Sequence, residues 1–168
     1  MAIEAPQTFE QEEKLLVETV VKVYRTAKVL KGGRRFSFGV LVVVGDRAGT
    51  VGIGYGKAKE VPLAVEKGIK EAKKELHKIA LVGRTIPHQT IAKYRATKII
   101  LVPASAGTGV IAGSSARAVL ELAGVQDVLT KVYGSTSAKN VLKATMEALL
   151  KLRTKETVES VRGVTIGD

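Results

Sequence analysis

The chain has 168 residues, 45% of them hydrophobic, enough for one compact domain or two small ones with a buried core. Its 27 Lys and Arg against 16 Asp and Glu leave a net charge of +11, which points to a polyanionic partner, nucleic acid before an anionic membrane surface. The lack of cysteine excludes disulfides, thiolate metal sites and cysteine nucleophiles, and two histidines in separate segments, His77 and His88, argue against a metal or histidine-based catalytic cluster.

Residues 1–13 carry Glu4, Glu10, Glu12 and Glu13, no base and no apolar signal region, so residues 1–12 are expected to form a flexible acidic tail. The longest apolar runs, such as Val40 to Val44, are too short to span a bilayer, and a soluble cytoplasmic chain is expected. Residues 15–30, rich in valine and threonine, alternate with a period of two and predict a strand, although the first few could form a helical turn. The loop KGGRRFSF follows at 31–38, and Phe36, Phe38, Val40, Val42 and Val44 then fall on one face of a second strand. That spacing reads the two phenylalanines as core anchors rather than as base-stacking groups. Gly45-Asp46-Arg47-Ala48-Gly49 reverses the chain into a third antiparallel strand with Val51, Ile53 and Tyr55.

Pro62 suits the first turn of a helix whose stripe comprises Val61, Ala64, Val65, Gly68, Ile69, Ala72 and Leu76, with Glu66–Lys70 and Lys67–Glu71 as expected pairs. Three strands and this helix make a domain over residues 13–80. Residues 81–88, with Gly83 and Pro87, read as a linker to a second α+β domain over 89–168. That domain begins with two strands bent near Arg95-Ala96-Thr97. A helix from about Ser114 to Leu122 follows, capped by Ser114 or Ser115 and stopped by Gly124. A strand in 125–134, a long helix in 137–154 and a short final helix complete it.

Charge is uneven. Residues 19–59 hold Lys22, Arg25, Lys28, Lys31, Arg34, Arg35, Arg47, Lys57 and Lys59 against the single acid Asp46. A solvated surface ordinarily mixes signs; this one is suited to phosphates, with arginine forks, mobile lysine charges and glycines that let a loop lie flush on a backbone. Candidate RNA-binding residues are Arg25, Lys28, Lys31, Gly32, Gly33, Arg34, Arg35, Lys57 and Lys59.

Two glycine patterns suggest other chemistry. GIGYGK at 52–57 evokes a dinucleotide fingerprint, but its glycines alternate inside a hairpin strand with no following acidic ribose ligand. Close approach of a protein or RNA backbone accounts for them better. PASAGTGVIAGSSARAV at 103–119 is similar to the phosphate loop of the homoserine and galactose kinase group, with Val110 to Gly113 intervening. No base, nucleophile or metal set accompanies it; the nearby acids are Glu121 and Asp127.

Two long stretches carry a more extensive resemblance. VKVYRTAKVLKGGRRFSFGVLVVVGDRAGTVGIGYGKAKEVPLAVEKG at 21–68 resembles the signature region of the S-five family, the fifth protein of the bacterial small ribosomal subunit, and PASAGTGVIAGSSARAVLELAGVQDVLTKVYGSTSAKNVLKATMEAL at 103–149 resembles that family's second domain. The resemblance covers roughly residues 13–163. It departs from common members at Ser135 to Asn140 and at Ser114-Ser115.

The resemblance implies an α+β fold of two small domains, the first like a double-stranded-RNA-binding module and the second of βαβα type, shared with those kinases. It further implies a non-enzymatic constituent of the small subunit, bacterial or organellar in type, that binds small-subunit rRNA through the loop near Val29 to Arg35 at the head–body hinge. Neighbouring ribosomal proteins four and eight are implied as partners, with Gly107, Thr108, Gly109 and Arg117 at the interface with protein four. A position near the path of incoming messenger RNA, a role in accuracy, no cofactor or metal and no homo-oligomer are implied as well. The alternatives are a free double-stranded-RNA-binding regulator and a kinase-like phosphate-binding enzyme using Gly107, Gly109 and Ser115.

Overall fold

The computed structural model describes residues 16–164; the acidic tail inferred for residues 1–12 lies outside them. The first domain is an antiparallel sheet in the order β1-β2-β3-β4, built from β1 (Val17–Leu30), β2 (Gly33–Gly45), β3 (Thr50–Ala58) and β4 (Leu76–Lys78), with helix α1 (Val61–Lys74) between β3 and β4. The alternation in 36–44 sends Val40, Val42 and Val44 to one face, where they meet Ala64 and Ala72 of α1. Leu41 and Val43 point to the other face and join the larger core.

The alternating glycines follow from the helix. A Cβ on Gly52, Gly54 or Gly56 would overlap the carbonyl oxygens of Ala72, Gly68 and Ala64 respectively, and one on Gly68 would come within 2.9 Å of Val42 Cγ2. Bare backbone on both sides lets α1 lie directly on β3, so the backbone approached is this protein's own.

Two local expectations change. α1 stops at Lys74, and Leu76 leaves the helical stripe to pair with Gly52 in β4, a strand too short to show a period. Glu71, expected opposite Lys67, instead accepts the Tyr55 N–H at 3.0 Å on the outer edge of β3.

The second domain contains β5 (Thr90–Tyr94), β6 (Thr97–Pro103), β7 (Val110–Ile111), α2 (Ser114–Ala123), β8 (Val128–Gly134), α3 (Ala138–Leu150) and α4 (Lys155–Arg162). Its sheet order is β5-β6-β8-β7, with β7 parallel to β8 across α2, which supplies the βα crossover of the expected βαβα unit. β7 has only two residues and leaves no periodic signal in the sequence. Arg95, at φ 53°, makes the expected bend between β5 and β6. Gly124, at φ 94°, ends α2 as expected, whereas the N-cap is Gly113 and neither Ser114 nor Ser115 caps the helix.

The domains share one core. Leu41, Val43 and Val51 of the first sheet belong to the cluster that holds Ile99, Leu101, Leu120, Leu142 and Leu149. The β2–β3 turn also closes the end of α2: Arg47 N–H donates to Leu122 O at 2.9 Å and Gly49 N–H to Ala123 O at 3.0 Å. These bonds satisfy carbonyls that a helix C-terminus leaves unpaired. Residues 81–88 are not loose: Ile86 is buried, Val82 and Thr85 exchange backbone hydrogen bonds, and Thr85 Oγ1 donates to Asp127 O at 2.6 Å.

Candidate nucleic-acid interface

β1 and β2 pair from Val17↔Gly45 to Leu30↔Gly33, so the far half of this ribbon runs past the packed core and turns at Lys31 and Gly32. Gly32 (φ 87°) and Gly33 (φ 146°) take conformations that an L side chain rarely adopts, which is why the turn is glycine-rich. Leu30, Lys31, Gly32, Gly33, Arg34 and Arg35 surround a shallow concavity there.

Register divides the cations between the two faces. Lys28 stands opposite Arg35 on the face that continues through Thr26–Ser37 and Tyr24–Gly39; Arg34 and Arg25 lie on the other, opposite Val29 and Phe38. Lys57 stands opposite Gly39 and extends the Tyr24 row, while Lys59 lies in the bend leading into α1. Arg25, Lys28, Lys31, Arg34, Arg35, Lys57 and Lys59 are all exposed, and none is paired with a carboxylate among the described residues. The structure thus gathers seven of the nine candidates on one projecting ribbon, with Lys57 and Lys59 nearer its base.

Phe36 corrects the core-anchor expectation. It lies on the same sheet face as Val40, but α1 does not reach that far along the strand, and the residue is 46% exposed. The Arg25 guanidinium sits 3.8 Å from its centroid. Phe38, one pleat closer to the core, is half-buried. Sequence reasoning also missed Tyr24 and Tyr55 as platforms for cations: Lys22 Nζ lies 5.5 Å from the Tyr24 ring and Lys139 Nζ, from α3, 4.5 Å from that of Tyr55. The Lys139 contact joins segments far apart in the chain and carries no local signal.

The loop before α2 is pinned from inside. Asp127, 1% exposed, accepts through Oδ1 from Gly107 N–H at 3.0 Å and Gly109 N–H at 2.9 Å. Its Oδ2 faces Arg84 Nε at 3.4 Å, an ion-pair contact without hydrogen-bond geometry. Thr108 turns back on the loop, donating through its N–H and Oγ1 to Ser105 O. Two amides that a phosphate loop would offer to a nucleotide are therefore occupied by the protein's own carboxylate. Arg117 is exposed on α2 and borders a concavity with Thr19, Arg47, Ser114 and Glu121; none of Gly107, Thr108 and Gly109 borders it. Among the described residues, no cluster of three or more His, Asp or Glu could hold a metal ion, and no helix is long and apolar enough to cross a membrane.

Comparison with known proteins gives the same two-part division. Residues 16–80 match the family description "Ribosomal protein S5, N-terminal domain" and residues 92–162 match "Ribosomal protein S5, C-terminal domain". The chain is 54% identical over 154 residues to the small ribosomal subunit protein uS5 of Aquifex aeolicus (strain VF5), covering 92% of this chain and 74% of that protein. With both domain matches and a relative at this identity, the chain belongs to the ribosomal protein S5 family.

Proposed function

We infer that this chain, a structural constituent of the small ribosomal subunit, grips small-subunit rRNA with the end of its β1–β2 ribbon. The observation that carries the reading is the acid-free far half of that ribbon: cations on both faces of a strand pair that projects beyond the core, around a turn whose glycines leave the backbone bare. Arg25, Lys28, Lys31, Arg34 and Arg35 neutralise phosphates, Gly32 and Gly33 allow close approach, and Lys57 and Lys59 extend the contact toward α1. The exposed Phe36 adds a ring on which a base can stack.

The second domain serves protein neighbours. Gly107, Thr108, Gly109 and Arg117 form the contact with ribosomal protein four, protein eight lies beside the chain, and the assembly supports decoding accuracy near the path by which messenger RNA enters. The working units are residues 13–80 and 89–168, and the chain functions in the cytoplasm, within the ribosome, without enzymatic activity. Occupation of the Gly107 and Gly109 amides by Asp127 argues against the kinase-like alternative.

The test is a filter-binding salt series with small-subunit rRNA. Replacing Arg34 and Arg35 by alanine should lower affinity and flatten the log–log salt slope by about one unit per lost phosphate contact. An unchanged slope would overturn the clamp. Co-sedimentation with small subunits separates this reading from that of a free RNA-binding regulator.

A further inference from the structure

From Thr19 to Gly45 the β1–β2 ribbon holds Lys22, Arg25, Lys28, Lys31, Arg34 and Arg35 and no Asp or Glu. Glu18, the one acid of β1, is engaged at the base, where its Oε1 lies 3.3 Å from Lys73 Nζ of α1. Further out, Lys28 and Arg35 stand directly opposite each other, a like-charge pair that is unfavourable until an anion lies across it. β1 is also the outermost strand of its sheet, and no described strand pairs with its outer side. The missing acid stands just before the ribbon in the chain: residues 1–13 carry Glu4, Glu10, Glu12 and Glu13 and no Lys or Arg. Leu16, where the described residues begin, packs against the Val40, Val42 and Val44 cluster, so the acidic segment is tethered at the base of the ribbon.

We propose that residues 1–13 fold back along the open edge of β1 and occupy its cations in the RNA-free protein, as an intramolecular competitor that RNA must displace. Two features match this segment to that edge. The first is spacing: Glu10 and Lys22 lie six residues before and after Leu16, and Glu4 and Lys28 lie twelve, so a chain reversed there brings both pairs level. Twelve extended residues span about 40 Å on either side of the reversal. The second is charge. Other cations within reach already have acids beside them: Arg47 and Arg117 border a concavity with Glu121, and the lysines of α1 share their helix with Glu66 and Glu71. The purpose of the contact rests on the rRNA clamp proposed above, although its existence does not. Cations gathered for phosphates attract any RNA. A tethered competitor lowers affinity for every RNA by the same factor, which empties weak sites and leaves a tight one filled.

Two measurements on the full chain test the contact. A carbodiimide joins a carboxylate to a lysine amine when the two touch. Without RNA it should link Glu10 to Lys22 and Glu4 to Lys28 or Lys31 within one molecule, as located by mass spectrometry, and added rRNA should suppress these links. In filter binding at low salt, the combined variant Glu4→Gln, Glu10→Gln, Glu12→Gln and Glu13→Gln should bind RNA about tenfold more tightly, the gain expected if the ribbon is open about a tenth of the time. Losing four negative charges favours RNA wherever they sit, so the comparison is repeated with Lys22→Gln and Lys28→Gln in place. Both lysines are exposed. A contact makes the second gain smaller by at least about threefold, whereas a general charge effect leaves it equal. Links only to lysines of α1, links between two chains, links that persist with rRNA bound, no links, or equal gains would each overturn the proposal. Failure of the clamp alone would appear in the salt series with Arg34 and Arg35 replaced, while the links in the RNA-free chain remained.

Discussion

The buried carboxylate of Asp127 accepts the amide proton of Gly107 at 3.0 Å, across 20 residues of chain. The same oxygen holds Gly109, so one side chain fixes both glycines at positive φ, 90° and 75°. Asp127→Ala should cost about 2 kcal/mol, the usual scale for hydrogen bonds to a charged group, without stranding a cation, since the Arg84 side chain is largely exposed. Urea denaturation measures the loss. Hydrogen exchange should localise it, with the Gly107 and Gly109 amides accelerating more than those of β6.

Asp46 holds the turn that caps α2, accepting through Oδ1 from Ala48 N–H at 2.7 Å and Thr50 N–H at 2.8 Å. Burial works to raise its pKa, but these hydrogen bonds outweigh it and the carboxyl titrates below the ordinary value of 3.8. A depressed carboxylate stabilises the fold above its unfolded pKa, and that contribution disappears as pH falls through the folded value. Asp46→Ala should therefore lower stability by about 1 kcal/mol at neutral pH. The gap to the parent protein should narrow below pH 3.8, where the parent loses the same charge. Thermal melts across an acid series test the sign.

Glycines in this chain fall into opposite classes. Gly56 faces the Ala64 carbonyl, and backbone on both sides cannot give way, so Gly56→Ala should cost about 3 kcal/mol by lifting α1 from β3. Gly113 faces open space at φ −66° and ψ 155°, an ordinary N-cap conformation without a side-chain cap. Gly113→Ser should stabilise by about 0.5 kcal/mol, through the added cap and a less flexible unfolded chain. Denaturation midpoints of the two variants should move in opposite directions.

Legibility in the sequence depends on range. The hairpin and its core valines are legible because a strand is the element that turns every second residue to the same side, and Gly124 because a left-handed helix stop favours glycine. β4 and β7, three and two residues long, show no period at all. The role of Asp127 depends on bonds across 18 and 20 residues, so locally it is merely an acid near a loop. At Phe36 the pattern itself misleads: alternation continues to the end of the strand, whereas the helix that makes one face a core does not.

That mismatch makes Phe36 testable apart from the charges around it. The residue is 46% exposed and its ring already holds the Arg25 guanidinium, so Phe36→Leu should change stability by no more than about 1 kcal/mol. Phe38→Ala, at a half-buried ring, should cost more. If a base stacks on Phe36, Phe36→Leu should weaken rRNA binding by about 1–3 kcal/mol while leaving the salt slope unchanged, since no phosphate contact is lost. Arg34→Ala should instead change the slope. Equal slopes with unequal intercepts for Phe36→Leu and the parent would identify stacking; an unaltered affinity would reduce Phe36 to a rest for Arg25.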